Sequence, residues 1–209
     1  MKIYWLDCSS LMDETALMST LPYLSEERRE KTLRLQTEER RAQSAAVGLM
    51  LRHLFGHAEF CYGINGKPYL RDQKDQYFSI SHSGKYVVCA VADCEIGVDI
   101  EPILPIRPAV KQRCFTAEEQ QWIGEDATRF TRLWTMKEGY MKLTGTGLSV
   151  PAKKIILSMP PHDGYDSTNN CYWSLVDINH IPVSICSEKP GSAILEELTL
   201  RELTHLDNG

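Results

Sequence analysis

The 209-residue chain is 43% hydrophobic and 24% charged, enough apolar content for one ordinary core or two small, tightly joined lobes. A formal net charge of −5 and a pI near 5.7 argue against a nucleic-acid partner and leave only a local basic patch for binding a phosphate. No run of about 18 apolar residues is present, and the N-terminus turns acidic at Asp7 without a signal-peptide core, so a cytoplasmic protein with no membrane partner is expected.

Residues 1–7 read as a first strand. Residues 25–35 are charged with helical spacing, and residues 39–55 form a stronger amphipathic helix striped by Leu49, Met50, Leu51, Leu54 and Phe55 and stopped by Gly56. Asn65-Gly66 signals a turn. Residues 77–81 and 86–92 read as strands joined by Ser83-Gly84, the second so continuously apolar that cover on both faces is expected. A third strand spans residues 95–101, and Pro102, Pro105 and Pro108 then mark a junction between lobes. Thr116 to Glu119 fits a capping box, and residues 127–143 are the clearest helix, ended by Gly145 and Gly147. Short strands are expected at 154–157, 171–176, 183–186 and 197–201, a polar loop at 160–170, and fraying over the last few residues. The seven cysteines are scattered without zinc-like spacing, so reduced thiols are expected. Helices followed by a meander recur in each half, which points to an α+β protein of two similar lobes.

Three segments carry chemistry. In the strand Gly97-Val98-Asp99-Ile100-Glu101, side chains two apart share a face, so Asp99 and Glu101 project together while Val98 and Ile100 turn to the core. Adjacent carboxylates raise each other's pKa unless a cation lies between them, and oxygen ligands of this kind suit magnesium or manganese. A solvated edge strand is the alternative. The helix Trp134 to Lys142 sets Trp134, Glu138 and Lys142 on one stripe, four residues apart. An exposed Glu–Lys pair is the bland reading, but the indole beside it favours a metal ligand next to a phosphate clamp. Gly139 costs about 1 kcal/mol in a helix interior, so a packing or access reason is expected there. The third segment, Phe78 to Gly84, ends a strand in hydroxyls, an imidazole and a glycine, a local recipe for gripping phosphate, although an ordinary hairpin accounts for it as well.

In this order the segments resemble the Sfp-type 4'-phosphopantetheinyl transferases, whose signature joins G-[VI]-D-[IVL]-E to W-[ST]-x-K-E-[AS]-x-x-K. Asn65 to Tyr69 is similar to that family's G-K-P segment, Phe78 to Gly84 to its F-N-x-S-H-S-G, and Ser25 to Arg52 to its basic helix pair. The length is similar to the two-lobed monomeric branch. The resemblance implies two α+β lobes related by a pseudo-twofold, with the active site in the cleft between residues 1–103 and 104–209. It implies transfer of the phosphopantetheine arm of coenzyme A to a carrier-protein serine. Asp99, Glu101 and Glu138 would hold magnesium (or manganese), Glu138 or a water it orients would take the serine proton, and Lys142 would hold the pyrophosphate. Lys31, Ser44, Ser81 and His82 would grip the 3'-phosphate with help from Arg28, and Gly66, Lys67 and Pro68 would border the adenine. Gln43 departs from the family's usual arginine, Ser79 from its asparagine and Gly139 from its Ala or Ser. Residues 111–115 combine charge with an aromatic and are nominated for docking an acidic carrier helix. Two alternatives keep the coenzyme and change the role: a magnesium-dependent hydrolase of a nucleotide pyrophosphate, and a non-catalytic coenzyme A-binding module.

Overall fold

The computed structural model describes residues 1–72 and 75–204. In chain order, β1 (Lys2–Asp7) and a 3-10 turn (Ser9–Met12) lead into α1 (Glu14–Thr20), α2 (Glu26–Arg34) and α3 (Glu38–Phe55). A short hairpin, β2 (Phe60–Tyr62) and β3 (Pro68–Leu70), precedes β4 (Tyr77–Ser83), β5 (Tyr86–Ala92) and β6 (Ile96–Ile100). The second half runs through α4 (Pro108–Cys114), α5 (Ala117–Ile123) and α6 (Ala127–Thr144). Strands β7 (Gly164–Asp166), β8 (Cys171–Ile178), β9 (Ile181–Ser187) and β10 (Ile194–Glu197) follow, and α7 (Leu200–Thr204) ends the described chain. None of these helices is long and apolar enough to cross a membrane.

The α+β expectation holds, with two four-stranded sheets. One has the order β10-β1-β5-β4, antiparallel except for the β10–β1 pair, and the other is the antiparallel set β6-β9-β8-β7. Alternation along β5 explains its continuous apolar run: Val87 and Cys89 join Leu49, Met50 and Phe55 beneath the helices, while Val88 and Ala90 face the second sheet. Val98, Ile100, Val183 and Ile185 meet them there. The second sheet turns its other face, through Trp173 and Cys186, to Leu133, Met136 and Met141 of α6. The order is therefore helices, sheet, sheet, helices. Chain order and sheet membership cross at the expected boundary, because β6 comes before residue 103 yet pairs with β9, and β10 comes after it yet pairs with β1.

The helix signals read from sequence operate as expected. Thr116 and Glu119 form a reciprocal capping box, and α3 and α6 stop at Gly56 and Gly145, with φ of 63° and 65° that suit glycine. All seven cysteines are free thiols, six of them buried. Two expected strands are not there. Residues 154–157 leave a 3-10 turn (Ala152–Lys154) as irregular chain, because the carbonyls of Ala152 and Ile155 turn inward to accept from Lys137 (3.1 and 2.5 Å). The last strand lies earlier than expected, at Ile194–Glu197, since Thr199 and Glu202 cap α7, which begins at Leu200. The expected fraying of residues 205–209 lies outside the described residues.

Candidate active site

The two acidic segments meet because a glycine lets them. A Cβ on Gly97 would stand 2.0 Å from the Gly139 carbonyl oxygen and 2.4 Å from the Leu143 nitrogen, so β6 lies directly on the backbone of α6. Gly139 itself is less constrained, its nearest would-be contact being Ser184 O at 3.3 Å. A hydroxyl pair, Thr135 to Ser184 at 2.7 Å, fastens α6 to β9 opposite Asp99.

Asp99 is 1% exposed. Its Oδ1 accepts from Lys142 Nζ (2.6 Å) and Ser81 Oγ (2.7 Å), while its Oδ2 is buried without a partner among the described residues. Half-buried Glu101 accepts from Ser83 Oγ through Oε2 (2.5 Å). Burial holds its carboxyl above the usual range, Asp99 adding to the effect and Ser83 and Lys142 opposing it. Burial likewise pushes Glu138 up to about 7, with Asp99 and Glu101 adding and Lys142 opposing. Three carboxylates thus share one low-dielectric spot with a single ammonium, and the charge is not balanced. The orphan Oδ2 and an all-oxygen donor set fit a hard divalent cation. Among the described residues, however, no three His, Cys, Asp or Glu side chains stand in an arrangement that could already hold a metal ion.

A cationic flank adjoins the acids. His82 is exposed at the surface, yet desolvation first, then Lys142 and Lys31, press its pKa down against the opposing pull of its backbone hydrogen bond and Asp99. Lys31 and Lys142 therefore both lie within electrostatic reach of His82. Arg28 and Lys31 line a cavity of about 520 Å³ between α2, the second half of α3 and residues 56–62. Ser44 is buried with its hydroxyl shared with Thr32 (2.8 Å), and the Ser81 hydroxyl is committed to Asp99 and Lys142. The Lys67 ammonium is held by Glu95 (2.5 Å) and the Leu143 carbonyl (2.8 Å). With Asn65 Nδ2 donating to Gly145 O (2.9 Å), it ties the turn bearing Gly66 and Pro68 to the end of α6.

The description of the 4'-phosphopantetheinyl transferase superfamily matches residues 95–197, which span the two strands and the helix just described. The 4'-phosphopantetheinyl transferase psf-1 of Bacillus pumilus is 30% identical over 100% of this chain and 100% of that protein. The chain belongs to the 4'-phosphopantetheinyl transferase superfamily. The transferase Sfp of Bacillus subtilis (strain 168) is 28% identical over 91% of this chain and 93% of its own. The transferase ffp of Bacillus subtilis is 30% identical over 72% and 73%. This chain is an enzyme of the same class, as its resemblance implied.

Sequence reasoning missed several parts of this transferase's site. Lys137, next to Glu138, is fully buried and pairs with buried Glu119 at 2.9 Å, which locks α6 to α5 and to the carbonyls of residues 152 and 155. A lysine between two buried helix positions was the available signal. Gln43, read as a departure, donates to the Gly84 carbonyl at 2.7 Å and fixes the β4–β5 turn, while nearby Arg41 pairs with Glu14 at 3.5 Å. The docking nomination needs correction. Phe115 is fully buried under Phe130 and Trp134, Cys114 is buried, and Lys111 is bound to the Gly124 carbonyl, so only Gln112 and Arg113 of that segment face outward. An aromatic after a short amphipathic helix serves the core here.

Proposed function

We propose that this chain transfers the 4'-phosphopantetheine arm of coenzyme A to a serine hydroxyl of an apo acyl or peptidyl carrier protein, releasing adenosine 3',5'-bisphosphate. The observation that carries the reading is the meeting of Asp99, Glu101, Glu138 and Lys142 where β4, β6 and α6 converge, beside the cations Lys31 and His82. The serine Oγ forms a bond to the phosphorus of the arm, the bridging P–O bond breaks, and the electron pair leaves on the nucleotide phosphate. Glu138 takes the serine proton, directly or through a water it orients. Lys142 lies one helical turn along and offers its ammonium to the pyrophosphate as negative charge moves to the leaving group. Magnesium or manganese, held by Asp99, Glu101 and Glu138 when bound, neutralises the pyrophosphate and the leaving oxygen.

In this reading Lys31, Ser44, Ser81, His82 and Arg28 serve the 3'-phosphate, though Ser44 and Ser81 act through hydroxyls already engaged with Thr32 and Asp99. Gly66, Lys67 and Pro68 border the adenine with backbone and methylenes, since the Lys67 ammonium is spent on the protein. Residues 1–103 supply the nucleotide grip and the first two metal ligands, residues 104–209 the third, and the chain acts as a cytoplasmic monomer. The relatives matched are named as transferases, so the hydrolase reading gains no support.

The test is direct. With magnesium, coenzyme A and an apo carrier, the carrier's mass is expected to rise by one phosphopantetheine arm, and coenzyme A is expected to persist when the carrier is omitted. Coenzyme A consumed without a carrier, or no gain across several carrier types with folded protein, overturns the proposal.

A further inference from the structure

Three serine hydroxyls on β4 form a row that faces the acids. Ser79, Ser81 and Ser83 alternate along the strand, so they share the side that looks toward β6. β4 and β6 are outer strands of different sheets, and among the described residues no backbone ladder joins them. The serines bridge that seam. Ser79 Oγ accepts from the Val98 N–H (3.1 Å), Ser81 Oγ donates to Asp99 Oδ1 (2.7 Å) and Ser83 Oγ donates to Glu101 Oε2 (2.5 Å). Ser81 and Ser83 meet Asp99 and Glu101 in step, two residues apart on each strand, while Ser79 meets the backbone of Val98, one residue before Asp99.

The first rung satisfies an edge amide that would be costly to bury alone. The other two end on carboxylates, as short charge-assisted bonds of the stronger kind. Ser83 has no other side-chain role in the site, and its own position is fixed from behind, because Gln43 holds the carbonyl of the next residue, Gly84. Glu101 has a flexible side chain and, unlike Asp99, is bound by no lysine among the described residues; Ser83 is what pins it.

We propose that Ser83 is a positioning residue for Glu101, holding its carboxylate beside Asp99 and Glu138 in the arrangement that receives a divalent cation. This rests on the reading of those three acids as cation ligands given under the proposed function.

Manganese binding to the whole protein without coenzyme A, read from the EPR signal of free Mn(II), tests it. Ser83→Ala is expected to weaken the affinity about tenfold, the size seen when a metal ligand loses its supporting partner. Ser83→Thr keeps the hydroxyl and is expected to retain parent affinity. In a Glu101→Gln background Ser83→Ala is expected to add no further loss, since the two act through one contact. Parent affinity in Ser83→Ala while Glu101→Gln weakens binding overturns the positioning role and leaves the cation site intact. A full Ser83→Ala loss that persists in the Glu101→Gln background overturns it as well. Parent affinity in Glu101→Gln overturns the cation reading itself.

Discussion

Glu138 carries the sharpest pH consequence of any single residue. Its folded pKa of about 7 lies above the ordinary 4.5, so the fold disfavours the ionised carboxylate. Between those values the folded chain keeps a proton that the unfolded chain has released, and stability falls as pH rises. The contribution is intact below about 4.5, is lost progressively up to about 7, and is flat above; each unit is worth about 1.4 kcal/mol at most. Chelator-treated protein is therefore expected to show a melting temperature that declines from pH 5 to pH 7. Glu138→Gln is expected to flatten that decline, and added magnesium to raise the melting temperature more at pH 7.5 than at pH 5.5. Parallel declines in parent and variant would remove Glu138 as the cause. At this scale the sequence was most legible. Asp99, Glu101, Glu138 and Lys142 follow from strand and helix periodicity, which fixes which side chains share a face. What periodicity cannot convey is a hydroxyl's partner across two sheets, so the sequence offers Ser81 as a phosphate ligand and gives no sign of its bond to Asp99.

Between elements, the contact of β6 with α6 decides whether the acids meet at all. The two glycines at that contact are expected to respond to very different degrees. Gly97→Ala drives a methyl into the backbone of Gly139 and Leu143 at 2.0 and 2.4 Å, and backbone cannot rotate aside as a side chain can. Overpacking of this kind costs about 3 kcal/mol, and β6 must shift along with Asp99, so activity is expected to fall with stability. Gly139→Ala meets only a carbonyl oxygen at 3.3 Å and gains about 1 kcal/mol of helix propensity, so urea melts are expected to show it within about 1 kcal/mol of parent. A reversed order would show that α6 does not rest on β6 at Gly97. The sequence drew attention to the helical glycine, which propensity flags, and passed over the strand glycine, whose reason is a close approach. The same division explains the other misses. Helix α7 carries in Thr199 and Glu202 the same reciprocal pair that located α5, whereas α1 has only its Asp13 cap, and neither helix is long enough to add a periodic stripe to its cap. Residues 154–157 look like a strand because their apolar side chains, Ile155 and Leu157, enter the core, but the carbonyls of Ile155 and Ile156 accept from the side chains of buried Lys137 and of Asn169 rather than from a neighbouring strand.

The molecule as a whole is held together by the apolar layer between its two sheets. Ile3, Val88 and Ala90 come from one sheet and Val98, Ile100, Val183 and Ile185 from the other. Neither sheet can bury that face alone. The acids on β6 stand on the reverse side of this layer, one residue out of phase with Val98 and Ile100, so the layer that joins the halves also sets the depth of the site. Two lobes were expected from the repeated pattern of helices and strands, but the crossing of β6 and β10 between sheets was not, since strand partners distant in sequence leave no local trace. This interleaving predicts one cooperative transition rather than two. Ile100 is fully buried, and Ile100→Val removes one methylene from the shared layer, worth about 1 kcal/mol. For a chain of this size that lowers the melting temperature by roughly 2–4 °C. Trp5 lies in the first sheet and Trp173 in the second, so versions retaining either tryptophan, the others replaced by phenylalanine, report each half separately. Both reporters are expected to move by the same amount in Ile100→Val, because a layer owned by both sheets cannot loosen on one side. Separate midpoints in the parent, or a shift seen by Trp173 alone, would mean that the sheets unfold independently and that the acids of β6 are supported by the second sheet only.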